Sequence, residues 1–251
     1  MDETSFQKRH EYVTIASDLD RQRVIHVGDD REQIGLDNFF ETLSDEEQAA
    51  IEVVALDMWE PYIRSIREHV PDAAKKICFD RFHVAMHLGN AVDKVRRQKH
   101  RELLGRGDSR LEGTKHLWLQ NPDNMSDTRL KRLRAMSRCS LRVARAWAVK
   151  ETAMTLWNYS RRGWARRAWT TLVRWIRRFR MEPVRAVGRT IGNHLDGILN
   201  AIVHGLTSAL SESFNATIQW IKKMAFGYRN RDRFRDAIYF HLGGLDLYPT
   251  P

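Results

Sequence analysis

The feature that most constrains the fold is a strand, helix, strand run in the first third of the chain. Residues 52–56 (EVVAL) form a short apolar strand that ends on Asp57, and residues 76–79 (KICF) form a second one that ends on Asp80. Pro61, between them, suits the first turn of a helix. Two strands joined by one helix form a right-handed parallel crossover. The chain is therefore predicted to contain an α/β sheet.

A β-hairpin and several helices make up the rest of the predicted structure. Apolar and β-branched residues at 12–19 and 23–27, with a turn between them, favour the hairpin. Apolar residues spaced by three or four predict helical segments over residues 31–50, 83–104, 117–199 and 211–240. The predicted architecture is an α/β layer interrupted by a large helical block.

The positive charge is concentrated in that helical block. The chain has 42 Lys and Arg against 32 Asp and Glu, a net charge of +10. Residues 129–189 alone hold 18 basic and two acidic residues, a balance of +16, so the rest of the chain has a balance of −6. A local field of this kind attracts an anionic partner.

The arginines of this block have two interpretations. They could form a solvated helix face, or they could bind DNA, with the neighbouring tryptophans either packing the helices or stacking on bases. We favour DNA contact, because a segment with this charge repels itself unless an anion lies near it. The residues predicted to contact DNA are Arg161, Arg162, Arg166, Arg167, Arg174, Arg177 and Arg178.

Acidic residues stand at positions where catalytic groups collect. Asp57 and Asp80 follow apolar strands, Glu212 opens a C-terminal helix (LSESFNATIQWIKK), and Asp2 opens the chain (MDETSF). Carboxylates at strand ends project from the rim of a sheet. Taken singly, each could instead be a turn former or favour the positive end of a helix dipole. Their spacing leaves both interpretations open.

A resemblance to a known family bears on this choice. Residues 57–84 (DMWEPYIRSIREHVPDAAKKICFDRFHV), 2–25 (DETSFQKRHEYVTIASDLDRQRVI) and 208–245 (SALSESFNATIQWIKKMAFGYRNRDRFRDAIYFHLGGL) resemble three blocks of the ISL3 family of bacterial insertion-sequence transposases. The blocks follow the family's order and cover the chain almost end to end.

The resemblance implies a fold and its division into domains. It implies an α/β fold with an RNase H-like mixed sheet and flanking helices, interrupted by a large all-helical insertion. Residues 1–86 would be the first part of the core, 87–200 the basic insertion and 201–251 the C-terminal part. In the family an apolar strand leads into the first acid, whereas only Met1 precedes Asp2 here. We therefore expect the first strand to be missing.

The resemblance also implies a catalytic site of the DDE type. The family's catalytic and metal-binding acids correspond to Asp2, Asp57 and Glu212. Hard oxygen ligands suit Mg²⁺ or Mn²⁺, and a pair of such ions can clamp the attacking and leaving oxygens at phosphorus. The expected activity is metal-dependent DNA cleavage and strand transfer.

Asp57, not Asp80, is predicted to be the second acid. In an RNase H-like sheet the strand of Asp57 adjoins the strand of the first acid, while Asp80 lies one strand further, roughly 10 Å from that acid. Asp80 and His83, which match an accessory signature of related transposases, are expected beside the metal ligands. Asn215 is predicted to orient Glu212 or to contact DNA, with an ordinary surface asparagine as the equally open alternative.

The expected partners are transposon-end and target DNA, and the resemblance implies a homodimer on paired ends. With no long apolar run, the chain is expected to have no membrane partner and to be cytoplasmic and nucleoid-associated. A second hypothesis is an N-terminally truncated, inactive transposase remnant that only binds DNA.

Overall fold

The structure is a computed structural model that describes residues 2–7, 11–29, 32–206 and 209–245. Its strands are β1 (Asp2–Gln7), β2 (Glu11–Asp18), β3 (Arg23–Gly28), β4 (Val54–Leu56) and β5 (Ile77–Phe79). Its helices are α1 (Gln33–Glu41), α2 (Asp45–Ala50), α3 (Glu60–His69), α4 (Ala73–Lys76), α5 (Arg81–Leu104), α6 (Lys115–Leu119), α7 (Asp127–Cys139), α8 (Leu141–Thr155), α9 (Arg162–Arg177), α10 (Glu182–Asn193), α11 (Leu195–His204), α12 (Ala209–Met224) and α13 (Arg231–Leu242).

The predicted hairpin is confirmed as the antiparallel pair of β2 and β3, and β1 adds a third antiparallel strand beside β2. Along β2 the side chains alternate between two faces, as the strand period requires. Val13 and Ile15 pack with Ile218 of α12 and with α13, whereas the Thr14 hydroxyl hydrogen-bonds the Tyr62 hydroxyl of α3 at 2.6 Å. β2 is therefore covered on both faces.

The apolar core of this sheet comes from distant parts of the sequence. Its buried members are Val13, Ile15, Val24, Val27, Ile218, Phe234 and Ile238. α13 is fixed to β3 by a further hydrogen bond, in which the Val27 backbone N–H donates to the Tyr239 hydroxyl at 3.0 Å. The C-terminal helices are thus an integral part of the layer that begins at the N-terminus.

The predicted parallel pairing is also confirmed, since Leu56 of β4 lies opposite Phe79 of β5. α3 between them begins with Glu60 and Pro61 and buries Tyr62, Ile63 and Ile66. The long predicted helix over residues 31–50 is instead two helices, because Ser44 starts α2 with a capping box closed by Glu47.

The strand pairing bears on the RNase H-like expectation. Within the described residues the ladders form a three-stranded sheet, β1-β2-β3, and a separate two-stranded sheet, β4-β5. Pairing between β1 and β4, which an RNase H-like sheet needs, stays a prediction. The absence of a first strand is not confirmed, because Asp2–Gln7 already form a strand beside β2. The fold is mixed α/β with small sheets and a majority of helix.

The chain divides into two compact units. One comprises residues 1–80 and 205–251, and the other comprises residues 81–204. The predicted boundaries lay after residues 86 and 200. In the structure the change of unit follows β5, and the chain returns after α11. All strands belong to the discontinuous unit, which we call the sheet unit, and the other is the helical unit.

The helical unit packs α5 against α8 and α10, and α9 against α10 and α11. Trp169 and Ile176 of α9 are fully buried, and Trp157 meets Trp169 edge to face with ring centroids 5.9 Å apart. Gly188 of α10 lies so close to Ile176 that a Cβ placed on it would be 2.4 Å from the Ile176 Cγ2. In the part of the chain that the structure covers, no helix is both long and apolar enough to span a membrane.

Candidate active site

Asp57 occupies the carboxyl end of β4, as the sequence predicts. Leu56 before it is buried, while Asp57 itself is half-buried at the edge of the sheet. Its Oδ1 atom is buried and has no hydrogen-bond partner in the described structure. A buried carboxylate oxygen without a donor is costly, because its lone pairs lose water and gain nothing in return. A bound cation would satisfy this atom.

Asp80 lies next to Asp57 at the same rim. The parallel register places Leu56 opposite Phe79, and the Asp80 backbone N–H continues the ladder by donating to the Leu56 carbonyl at 3.5 Å. Neighbouring strands are about 4.8 Å apart. The two aspartates therefore leave the ends of adjacent strands side by side, and their carboxylate oxygens are ligands of the kind that a divalent ion prefers.

Glu212 lies in the first turn of α12 and is exposed. α12 buries Phe214, Ile218 and Ile221 on its inner side. Asn215, one turn after Glu212, is half-buried. α12 also contacts β1, so the elements that carry the first and third predicted acids touch each other within the sheet unit.

Position 2 is described only by its backbone, at the start of β1 opposite Ile15 of β2. The side chain of Asp2 lies outside the described residues. Its distances from the carboxyl groups of Asp57 and Glu212 stay predictions.

His83 lies in the first turn of α5 and is half-buried. Its Nδ1 atom is buried without a hydrogen-bond partner in the described structure, and its ring meets Phe82 edge to face at 5.7 Å. An unpartnered ring nitrogen can accept a proton or bind a ligand.

The predicted DNA-binding arginines divide into two groups. Arg162 and Arg166 face α11, where both form ion pairs with Asp196, and Arg162 also donates to the Asn200 side-chain oxygen at 2.5 Å. These two guanidinium groups join α9 to α11.

The other arginines point to solvent. Arg161, Arg167, Arg174, Arg177 and Arg178 are exposed, and within the described residues none of them pairs with an acid. Trp164 is 55% exposed, and the guanidinium of Arg167 lies 5.3 Å from its ring centroid. Most other tryptophans of the basic block are at least partly buried. The solvent face of α9 therefore offers uncompensated positive charge.

One cluster of potential metal ligands was not predicted. Among the side chains that the structure describes, Asp37, Glu68 and His69 place one ligand atom each within 4.8 Å of one another. His69 Nδ1 lies 2.9 Å from the Ser65 carbonyl, and Glu68 accepts a hydrogen bond from Gln33 at 2.8 Å. These protein partners account for two of the three groups. Because the cluster joins α1 to α3, only the packing of two helices reveals it.

Comparison with known proteins gives the chain its family. Residues 1–238 match the transposase family of the DDE, ISL3 type. The chain is 30% identical over 237 residues to the transposase for insertion sequence element IS1001 of Bordetella parapertussis, with 93% of this chain and 58% of that protein covered. It is 27% identical over 255 residues to the transposase for insertion sequence element IS1557 of Mycobacterium tuberculosis, with 92% and 56% covered.

The chain thus spans a little over half the length of these relatives. No solved structure matches it significantly. The family match extends over both units, from β1 to α13. The chain belongs to the ISL3-type family of insertion-sequence transposases.

Proposed function

We propose that this chain is the catalytic part of a transposase that cleaves the ends of its insertion sequence and joins them to target DNA in a metal-dependent reaction. The observation that carries the proposal is the buried, unpartnered Oδ1 of Asp57, which lies beside Asp80 at the rim of a parallel strand pair. Membership of a transposase family supports DNA cleavage and joining as the chemistry that a cation site at this rim would serve.

Asp2, Asp57 and Glu212 would hold two Mg²⁺ or Mn²⁺ ions. Bound there, such ions lower the pKa of water and stabilise the charge that develops on the attacking and leaving oxygens. Oxygen ligands of this kind suit Mg²⁺ and Mn²⁺. Asp80, His83 and Asn215 would orient the ligands or the DNA.

The protein's own contribution is to fix the geometry. Asp57 is fixed by the β4–β5 ladder, and Glu212 by a helix whose Phe214 and Ile218 are buried. An in-line displacement needs its groups held within a fraction of an ångström, which rigid elements achieve better than loops. Water would attack the phosphodiester at the transposon end, and the bond from phosphorus to the 3′ oxygen would break to release a 3′-hydroxyl. That hydroxyl would then attack a phosphodiester of the target DNA and displace a 3′-hydroxyl of the target strand.

DNA is the proposed partner, and the exposed arginines of α9 are its proposed contacts. Five of the seven predicted arginines carry guanidinium groups that no described acid neutralises. Arg162 and Arg166 would contribute less, because they share the carboxylate of Asp196, which offsets one of their two positive charges. A DNA partner places the protein at the bacterial nucleoid, and the joining of two transposon ends favours a homodimer.

The metal site is tested with Asp57→Ala and Glu212→Ala. The substrate is a labelled duplex that carries the terminal repeat of the encoding insertion sequence, incubated with Mg²⁺ or Mn²⁺. We expect each variant to cleave at least about 100-fold more slowly than the parent, since even residues behind the metal ligands typically contribute 10- to 100-fold. Glu46→Ala removes an exposed acid of α2 and is the matched control, with unchanged cleavage.

A second measurement separates ligand loss from misfolding. Mn²⁺ should raise the melting temperature of the parent, because an ion that binds only the folded state stabilises it, and should do so less for Asp57→Ala. Equal cleavage by the parent and both variants would refute the site. A parent that binds the duplex without cleaving it under any metal would support the alternative, a chain that only binds DNA.

A further inference from the structure

The turn between α12 and α13 presents an aromatic ring to solvent. Phe226 is fully exposed, whereas Phe240, another exposed phenylalanine of the same unit, is 53% exposed. All of residues 223–227 are exposed. A single exposed apolar side chain is common on a protein surface, so the exposure of Phe226 matters only together with the backbone and the charges around it.

The backbone holds this ring in a fixed and strained position. Phe226 has φ 53°, in the left-handed region that glycine usually occupies. Its N–H donates to the Lys223 carbonyl at 3.0 Å, and the Gly227 N–H donates to the Lys222 carbonyl at 2.9 Å. These two bonds close the end of α12 in a Schellman arrangement. A phenylalanine at the position suited to glycine costs stability, and its exposed ring recovers none of it by packing.

Positive charge surrounds the ring in sequence. Residues 222–230 contain Lys222, Lys223 and Arg229 and no acid. Lys223 and Arg229 are exposed and pair with no acid within the described structure. A partner that docks here must tolerate cations and offer a flat apolar surface. Nucleic acid meets both requirements, through its phosphates and the faces of its bases.

We propose that this turn is a DNA-contact element in which Phe226 stacks on or wedges between bases of duplex DNA while Lys223 and Arg229 bind the flanking phosphates. The inference rests on the proposed function and adds a contact to it. Apolar side chains that enter a base step are an established means of gripping and bending duplex DNA. The strain at Phe226 then has a use, because it aims the ring outward.

The distance between the turn and Glu212 of the candidate active site follows from the length of α12. Phe226 lies 14 positions after Glu212, mostly along α12, which places it about 20 Å away at 1.5 Å per residue. That length corresponds to roughly six base pairs of duplex at 3.4 Å each. The ring would therefore grip the duplex about half a helical turn from the phosphate that Glu212 serves.

The stacking role is tested by fluorescence anisotropy with a short fluorescein-labelled DNA duplex and the full chain. Phe226→Ala should weaken binding about tenfold, which corresponds to ~1.4 kcal/mol, whereas Phe226→Tyr should retain the parent affinity. Phe226→Gly should weaken binding equally and melt no lower than the parent, because glycine accepts the left-handed backbone. That variant excludes unfolding as the cause. Phe240→Ala is the matched control and should bind as the parent does.

Salt dependence tests the phosphate contacts separately. Lys223→Ala and Arg229→Ala should each reduce the slope of log Kd against log salt by about one, while Phe226→Ala should leave the slope unchanged.

Equal DNA affinity of the parent and Phe226→Ala would overturn the inference and leave the proposed function standing. If that variant also had a changed sedimentation coefficient, the turn would be a contact between protein copies instead. Failure of the parent itself to bind DNA would count against the proposed function as well.

Discussion

His26 of β3 is held in a setting that disfavours its charged form. Burial lowers the pKa of His26 below its ordinary 6.5, and nearby Arg235 lowers it further, whereas a backbone hydrogen bond with Gly35 and the charge of Asp29 raise it. Its ring lies 5.0 Å from that of Phe39, and its buried Nε2 has no hydrogen-bond partner in the described structure. Of these influences burial is the largest, so the folded protein favours the neutral imidazole.

The sheet unit should therefore lose stability in mild acid. A histidine with a lowered folded pKa binds its proton more readily in the unfolded chain, so stability is complete above about pH 6.5 and falls as the pH drops through that value towards the folded pKa. We expect the free energy of unfolding, measured by urea titration between about pH 7.5 and 5.5, to fall more for the parent than for His26→Gln. Equal losses would show that other groups cause the acid sensitivity.

At the scale of elements, Gly188 leaves room for α10 to pack closely against Ile176 of α9. A Cβ there would meet the buried Ile176 at 2.4 Å, whereas one on Gly163, at the start of α9, would meet nothing within 4 Å. Glycine in a helix normally weakens it by roughly 0.5–1 kcal/mol relative to alanine. Only at Gly188 does close packing offset that cost.

Alanine at the two glycines should accordingly have opposite effects. We expect Gly188→Ala to destabilise the helical unit by about 1–3 kcal/mol through overpacking against Ile176, and Gly163→Ala to be neutral or to stabilise by up to about 1 kcal/mol. Thermal unfolding followed by circular dichroism measures both. If Gly188→Ala is as stable as the parent, the two helices must be able to separate without cost.

The elements that could be predicted from the sequence are those with a strong local pattern. The β2–β3 hairpin and the β4–α3–β5 crossover are present because their apolar residues recur with the period of the element they form. β1 (DETSFQ) was not predicted as a strand, because it is largely polar and lacks the alternating apolar residues that indicate one. Its strand conformation is evident only from its pairing with β2. The break between α1 and α2 was also missed, although the Ser44 capping box is a local signal.

At the candidate site, too, only the positions set by a local sequence pattern could be predicted. The ends of β4 and β5 could be predicted, so the neighbouring positions of Asp57 and Asp80 followed from the sequence. The Asp196 pairing of Arg162 and Arg166 could not, because it depends on the packing of α11 against α9. The periodicity of a sequence predicts which face of a helix is apolar, but not which other helix packs against that face.

At the scale of the whole molecule, the two compact units differ in the sign of their net charge. Residues 81–204 hold 27 basic and nine acidic residues, a balance of +18, and the remaining residues hold 15 basic and 23 acidic residues, a balance of −8. The helical unit carries the charge proposed to attract DNA, and the sheet unit carries the acids proposed to bind cations. The two proposed tasks thus belong to separately packed parts of one chain.

The exposed face of α9 should set the salt dependence of DNA binding. We expect the double variant Arg174→Ala/Arg178→Ala to reduce the slope of log Kd against log salt by about two. The reason is that each phosphate contact releases about one counterion when DNA binds, and the variant lacks two such contacts. Arg166→Ala is the comparison variant, and its slope should change by less than one, because Arg166 and Arg162 share the carboxylate of Asp196. Anisotropy titrations over a range of salt decide this. Equal slopes for all three proteins would exclude α9 as the phosphate-binding surface.

The split sheet unit has a consequence for synthesis on the ribosome. Val13, Ile15, Val24 and Val27 are made about 190 or more residues before the side chains that cover them, Ile218, Phe234 and Ile238. At a translation rate of 5–20 residues per second, the β2–β3 hairpin is synthesised roughly 10–40 seconds before the helices that pack on it. During that interval its apolar face can pair with other nascent chains, so slow translation or early termination should send this protein into aggregates.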